Sequence, residues 1–242
     1  MPDLPSLALV ISASSIVAVG AAVQGAVGFG LALVAAPVLV QIDPRLVPGP
    51  MLFASTVMLM LTIWRDREGI DLSGVGWSVL GRLPGTVLGA ITVGAIASEK
   101  LELVVGAIVL LAVAMSVSRP RIHPTPWTLM SAGVLSGFMG TTSSIGGPPI
   151  AMVYQHETGV RLRGTLASFF LIGGLMSLVA LRVVGRLGLE ELTWSIALLP
   201  GIFLGFALSS RVAPIIDRGY TRKAVLTTST IAAAILIVRR LW

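Results

Sequence analysis

The chain has 242 residues, of which 55% are hydrophobic and only 12% charged, and its mean hydropathy is +0.94. This composition excludes an ordinary soluble domain and predicts an integral membrane protein. The formal charge is +6, but the basic residues stand singly or in pairs between apolar runs, which argues against nucleic-acid binding. Cysteine is absent, so disulfides, thiolate metal sites and cysteine nucleophiles are excluded.

Apolar segments of membrane-span length follow one another along the whole chain. Because lipid admits only helices or closed barrels, and a barrel would show shorter alternating segments, each is a predicted helix. The first lacks a convincing cleavage site and is interpreted as an uncleaved span. The predicted fold is an all-α polytopic transmembrane bundle of about eight spans. The segments cover roughly residues 7–40, 47–64, 75–98, 101–118, 127–153, 164–184, 192–212 and 221–241.

Glycine and proline interrupt two of these segments. The first segment is too long for one crossing and contains Gly25, Gly28 and Gly30, with Pro37 further on. The fifth segment has the same character. Since both residue types break or bend helices, we expect a broken helix or a re-entrant turn in each segment. The fifth segment contains Gly137, Gly140, Gly146, Gly147, Pro148 and Pro149.

The two interruptions match each other, which indicates an internal duplication. A shift of 112 positions places Gly25 on Gly137, Gly28 on Gly140 and Pro37 on Pro149. A shift of 116 positions places Pro84 on Pro200. We therefore predict two transmembrane repeats, residues 1–120 and 121–242, within one membrane domain.

The relative orientation of the repeats stays open. Counting eight simple crossings divides the basic residues evenly between the two sides and puts Arg65 and Arg163 on opposite sides. An even division does not show the usual excess of positive charge on the cytoplasmic side. The charges therefore do not choose between parallel and inverted repeats.

Matching helix breaks in two halves are the best sequence indication of a midplane substrate site in a secondary transporter. The second break also carries four hydroxyls, which suit an oxyanion, although small residues and hydroxyls also serve helix packing. Structural or hinge roles are predicted for Pro37, Pro84, Pro148, Pro149 and Pro200. The candidate binding residues are Gln24, Gly25, Gly28, Gly30, Arg82, Ser136, Gly140, Thr141, Thr142, Ser143, Ser144, Gly146 and Gly147.

Two of these candidates leave alternatives open. Gln24, which the 112-residue shift aligns with Ser136, faces the cavity or makes a hydrogen bond between helices. Arg82 lies just before Pro84 and is either the counter-charge of an anion or a side chain that snorkels to the headgroups.

Enzymatic chemistry finds no support in the predicted spans. His123 and His156 are the only histidines and have no metal-ligand spacing, and the acidic residues fall in the predicted loops. We therefore expect no enzyme activity, no metal and no cofactor. The missing intramembrane carboxylates also leave the coupling ion undetermined.

An ordered set of motifs resembles the sulfite exporter TauE/SafE family. The resemblance spans nearly the whole chain and implies a permease of the bacterial cytoplasmic membrane. Its substrates would be sulfur-containing oxyanions such as sulfite, sulfoacetate or other organosulfonates, often moved outward. The motifs are the run 24–30 leading to Pro37, the run 136–140 leading to 146–149, and a Pro-Gly-x-x-Leu-Gly element at Pro84 and Pro200.

The expected partners are a small anionic solute and the lipid bilayer. Whether the chain forms homo-oligomers stays open, and nucleic acid is not expected. The alternatives to a sulfur-oxyanion carrier are an anion channel, a carrier of another small organic anion, and a membrane-embedded enzyme.

Overall fold

The computed structural model describes residues 7–68, 70–118, 122–157 and 159–216, with isolated positions between 229 and 238. These residues form α-helices and one short 3-10 turn at Pro44–Leu46, and contain no strand. The all-helical prediction is confirmed. The helices are α1 (Leu7–Val27), α2 (Leu31–Ile42), α3 (Gly49–Arg65), α4 (Leu72–Ala95), α5 (Ser98–Val117), α6 (Pro126–Ser143), α7 (Gly147–Val153), α8 (Gly159–Val183) and α9 (Leu189–Ile216).

Five helices in the described part of the chain are long and apolar enough to cross a membrane, namely α1, α4, α5, α8 and α9. Helices α2 and α3 are apolar but shorter. The predicted eighth span, residues 221–241, lies for the most part outside the described residues. The chain is therefore a multi-pass membrane protein, and the predicted count of about eight spans is not confirmed.

The first interrupted segment forms a helical hairpin. Helix α1 has 21 residues and is about 31 Å long, whereas α2 has 12 residues and reaches only about 18 Å. A methyl group at Gly20 would lie 2.8 Å from the carbonyl oxygen of Leu31, so α2 folds back along α1. We call α1 and α2 the first hairpin, and Gly28–Gly30 its tip.

The second interrupted segment does the same with α6 and α7. Ser144 ends α6 in the left-handed conformation, with a φ of 65°. The hydroxyl of Ser136 then donates a 2.6 Å hydrogen bond to the carbonyl oxygen of Gly146, which holds the returning chain against α6. We call α6 and α7 the second hairpin, and Ser144–Gly146 its tip.

The two hairpins begin their second helices 116 residues apart, at Leu31 and Gly147. This spacing equals that of Pro84 and Pro200, and it is four residues more than the shift that aligned the glycines. Four residues are about one helical turn, and glycines on one packing face recur at that interval. The glycines alone can therefore be aligned with a shift of 112 or of 116 residues, whereas the positions of the helix breaks agree only with the shift of 116.

Close backbone contact joins α4 to α6. A methyl group at Gly81 would overlap the carbonyl oxygen of Met130, and one at Gly85 would overlap that of Val134. The residue numbers increase together, so these two helices run parallel. Because lipid provides no hydrophobic force between helices, such small residues are how membrane helices approach closely.

Helices α1 and α9 form the matching pair. A methyl group at Gly201 would overlap the carbonyl oxygen of Ser14, and one at Gly205 would overlap that of Ala18. Adding 116 to Ser14 and Ala18 gives Met130 and Val134, the residues that α4 contacts. Each hairpin therefore packs against a long helix from the other half of the chain.

Side-chain contacts define two ends of the bundle. At one end, which we call the Asp66 face, Arg163 at the start of α8 donates to Asp66, directly after α3. At the other, the Asp43 face, Arg45 contacts Glu190 at the start of α9. Arg65 and Arg163 thus lie on the same face, and the count of eight simple crossings, which separated them, is wrong. The cause is the second hairpin, which lies between these two residues in the chain and in which α7 returns instead of crossing.

The α4–α6 contact should tolerate no added side chain. We expect Gly85→Ala to lower the free energy of unfolding by at least about 2 kcal/mol, because the overlapping atoms belong to the backbone of α6. Gly76 lies on the same helix with nothing within 4 Å of an added methyl group. Gly76→Ala is expected to be neutral or stabilising by up to about 1 kcal/mol. SDS unfolding in mixed micelles measures the free energy of unfolding of both variants. Equal effects would contradict the close backbone contact between α4 and α6.

Candidate functional site

A cavity of about 50 Å³ lies between the tips of the two hairpins, bounded also by α3 and α8. It brings together residues that the sequence separates by more than a hundred positions. No Asp, Glu, Lys or His is among its lining residues, and Arg82 is their one charged side chain. They are Gln24, Phe29, Gly30, Leu31, Ala32, Leu33, Met51, Leu52, Ser55, Leu59, Arg82, Ser144, Ile145, Gly146, Gly147, Pro148, Phe170 and Gly174.

Arg82 is the main polar feature of the cavity. Only 2% of its surface is exposed, and its Nη1 donates a 3.2 Å hydrogen bond to the hydroxyl of Ser136. The guanidinium carbon lies 5.0 Å from the ring centroid of Phe169. Its Nε is one of the few buried polar atoms in the described residues that has no hydrogen-bond partner. Such an atom in a low-dielectric site is costly and indicates a missing acceptor.

Glycines create the space that this guanidinium occupies. A methyl group at Gly140 would lie 2.9 Å from Nη2, and one at Gly173 would overlap Nε. Arg82 is ten residues after the first residue of α4, about 15 Å along its axis. The snorkelling alternative for Arg82 is therefore wrong. Helix α4 begins earlier than hydropathy indicated, so Arg82 lies well inside the helix, and the Arg82 guanidinium packs against α6 and α8.

Neutral donors complete the cavity wall. The first turn of α2 contributes Leu31, Ala32 and Leu33. The N–H of Leu31 donates to the Oε1 of Gln24 at 3.2 Å, and the N–H groups that follow in that turn have no partner within the helix. The arrangement of one buried cation, a helix N-terminus and no carboxylate among the lining residues can hold a small anion.

The structure places some predicted site residues in the cavity and others outside it. Gln24, Gly30, Arg82, Ser144, Gly146 and Gly147 line it, whereas Ser136 and Gly140 lie behind the guanidinium. Thr141 shares a 2.8 Å hydrogen bond with Ser177 of α8. Thr142 and Ser143 donate to carbonyl oxygens one turn earlier on α6. These three hydroxyls therefore serve helix packing in the structure, because the residues before Ser144 are still helical.

The remaining glycines of the first break lie at the end of the hairpin. The carbonyl oxygen of Gly25 accepts a 2.6 Å hydrogen bond from Arg65, and a methyl group at Gly28 would press against Arg163. Both contacts point to the Asp66 face and not to the cavity.

The predicted hinge prolines occupy two kinds of position. Pro148 and Pro149 open α7, where a missing N–H does no harm. Pro37, Pro84 and Pro200 lie inside α2, α4 and α9, where each removes one backbone hydrogen bond. The hinge role of these prolines stays a prediction.

Sequence reasoning missed an ionic cluster on the Asp66 face. Asp66 is 3% exposed and accepts hydrogen bonds from Arg163, the shortest 2.8 Å, and from Arg65 at 2.9 Å. Arg65 also donates to Ser209 of α9 at 2.9 Å and to Gly25 of α1. One carboxylate and two arginines therefore connect α1, α3, α8 and α9 below the first hairpin tip. The predicted loops contained these residues, but nothing in the sequence indicated that Asp66 is buried.

Charge pairing keeps Asp66 ionised. Burial alone would raise the pKa of Asp66, but hydrogen bonds from Arg163 and Arg65 outweigh it and hold the pKa below its usual value. A depressed carboxyl pKa contributes stability at neutral pH that is lost as the pH falls through the folded-state value. The cluster is therefore intact under physiological conditions.

The contacts that close the Asp43 face are weaker than those of the Asp66 cluster. Arg45 contacts Asp43 and Glu190, but its side chain is about half exposed. The second hairpin tip is held there by a 3.0 Å hydrogen bond from Ser144 to the carbonyl oxygen of Pro48. Exposed ion pairs contribute little, so the two ends of the bundle are closed by unequal interactions.

Apolar helices of spanning length around a cavity lined by a buried arginine define a multi-pass membrane protein with a charged side chain in its interior. The chain matches the model of the family described as Sulfite exporter TauE/SafE over residues 13–236. It belongs to that family, which is a family of membrane transporters. Neither a curated protein nor a solved structure matches the chain.

Proposed function

We propose that this protein is a secondary transporter that exports small sulfur-containing oxyanions such as sulfite, sulfoacetate or other organosulfonates across the bacterial cytoplasmic membrane. Arg82 carries the proposal, because it is a buried guanidinium that lines a cavity without any acidic partner among the lining residues. A charge inside a membrane bundle is costly, and a bound anion would neutralise it. The family of the chain supplies the chemical class of that anion.

The cavity size favours the smallest members of this class. About 50 Å³ accommodates on the order of four water-sized groups. Sulfite has one sulfur and three oxygen atoms, which matches that number. A longer sulfonate such as taurine or sulfoacetate has more heavy atoms than this space accommodates.

We infer that residues 1–120 and 121–242 are two inverted repeats related by a shift of 116. Three features support this inference: the hairpin tips, Pro84 with Pro200, and the crossed packing of α4 with α6 and α1 with α9. The first hairpin has its tip towards the Asp66 face and the second towards the Asp43 face. Inverted repeats around a shared site are the usual basis of alternating access.

Alternating access would then require a different set of contacts to break at each face. Opening towards the Asp66 face requires that the Asp66 cluster release the first hairpin, and opening towards the Asp43 face requires that Ser144 leave Pro48. The substrate stays at the midplane between the tips while one half moves against the other.

Counterflow in liposomes tests the proposed function. Purified protein is reconstituted, and uptake of labelled sulfite, sulfoacetate and taurine is measured against trapped unlabelled anion, with chloride and lactate as controls. The proposal predicts saturable counterflow that is selective for the sulfur oxyanions. Non-saturating flux without counterflow would favour an anion channel, and well-folded protein without flux of any sulfur oxyanion would contradict the proposal.

A further inference from the structure

The charge of Arg82 is uncompensated on every side that the structure describes. Helix α6 presents Ser136 and Gly140 to it, and α8 presents Phe169 and Gly173. The other cavity walls, from both hairpin tips and α3, contribute only apolar and neutral polar residues. No titratable side chain besides Arg82 is among the lining residues, so the empty site carries one positive charge at every physiological pH.

This charge has different consequences for the empty and the loaded protein. In an open state, water in the cavity solvates the guanidinium. Between the two open states both tips must close around the site, and the guanidinium then loses that water. An unpaired charge in such an environment is strongly unfavourable, whereas a charge with a hydrogen-bonded counter-ion is not.

The charge of the bound anion decides how well it compensates. A monovalent anion at Arg82 makes the closed site neutral. A divalent anion leaves one net negative charge, and the described lining residues include no second cation to balance it. The closed state should therefore form most readily around an anion of charge minus one.

We infer that the protein exchanges one monovalent anion for another: the loaded, neutral site moves between the two faces quickly, and the empty, charged site returns slowly. The inference rests on the proposed function and specifies it further. For sulfite it selects hydrogen sulfite over the dianion. No proton-binding group is needed in the cavity, because the substrate itself brings the compensating charge.

Exchange and net flux are compared in one set of vesicles. Proteoliposomes contain either unlabelled sulfite or an impermeant buffer, and potassium with valinomycin holds the membrane potential at zero. Uptake of labelled sulfite into preloaded vesicles is expected to exceed net uptake into buffer-filled vesicles by at least about tenfold, because the empty return is the slow step. Equal rates would overturn the exchange inference. Saturable uptake in either mode leaves the proposed function standing, and its loss in both would count against that function.

The preferred charge is tested by pH. The second ionisation of sulfurous acid lies near neutrality, whereas methanesulfonate keeps one negative charge throughout. At a fixed total concentration, protein-dependent exchange of sulfite should fall as the pH rises through that ionisation, and exchange of methanesulfonate should stay constant. Protein-free liposomes correct for passive entry of the neutral acid. Sulfite exchange that rises with pH would show that the dianion is carried and would overturn the preference for a single charge.

Discussion

Replacing Arg82 by glutamine should reduce saturable sulfite flux at least about 100-fold. The substitution removes the one charge among the described lining residues, together with its charge-assisted hydrogen bonds. Each such bond contributes about 1.5–3 kcal/mol, and about 1.4 kcal/mol is tenfold in affinity. The free energy of unfolding should not fall, because the substitution also removes an uncompensated buried charge, which is unfavourable in the folded protein. Loss of activity without loss of stability separates a binding residue from a structural one.

Two variants serve as controls for Arg82→Gln. Arg82→Lys keeps the charge but lacks the planar fork, so it should retain part of the flux. Arg211→Gln removes a basic residue that is exposed on α9 and should leave flux unchanged. Counterflow and SDS unfolding are measured on all three. If Arg82→Gln transported sulfite at the normal rate, the assignment of the site would be wrong.

Replacing Asp66 by asparagine should lower the free energy of unfolding by about 2–4 kcal/mol. The buried carboxylate holds Arg65 and Arg163 at hydrogen-bond distance, and its loss leaves two guanidinium groups facing each other without a counter-charge. The first hairpin also loses its fixed contact through Gly25, since Arg65 is no longer held in place.

The matched control for Asp66→Asn is an ion pair of the same chemistry at the surface. Glu157 and Arg161 are 3.3 Å apart and well exposed, so Glu157→Gln should change stability by less than about 1 kcal/mol. SDS unfolding in mixed micelles measures both variants. Equal effects would show that the Asp66 cluster contributes no more than a surface pair, and would remove the proposed closure of that face.

The sequence predicted the helices and their two interruptions because both depend on local properties. Hydropathy at span length identified the apolar segments, and the glycines and prolines at 25–37 and 137–149 identified the breaks. Whether α7 crosses or returns depends on the hydrogen bond from Ser136 to the carbonyl oxygen of Gly146, which no local pattern contains. Because the fifth segment was counted as one crossing, Arg163 was predicted on the face opposite Arg65.

The candidate site was predictable in its location but not in its composition. Gln24, Gly30, Ser144, Gly146 and Gly147 line the cavity as expected, since helix breaks expose backbone. Thr141, Thr142 and Ser143 do not, because α6 continues as a helix to Ser143 and the three hydroxyls bond within the bundle.

The sequence identified Arg82 as a candidate but did not determine where its side chain lies. Its position near Pro84 allowed both a surface and an interior location, and the choice between them depends on where α4 begins and on space left by Gly140 and Gly173. The contributions of α3 and α8 to the cavity wall, including Ser55 and Gly174, had no signal in the sequence because no break marks them.

The most direct test of the central claim is a crystal structure with bound selenite, a sulfite analogue whose selenium atom can be located by anomalous scattering. The account predicts one selenium peak between the two hairpin tips, with an anion oxygen about 3 Å from the guanidinium of Arg82. A peak elsewhere in the bundle, or none there in crystals of protein that transports sulfite, would contradict the site proposed for this transporter.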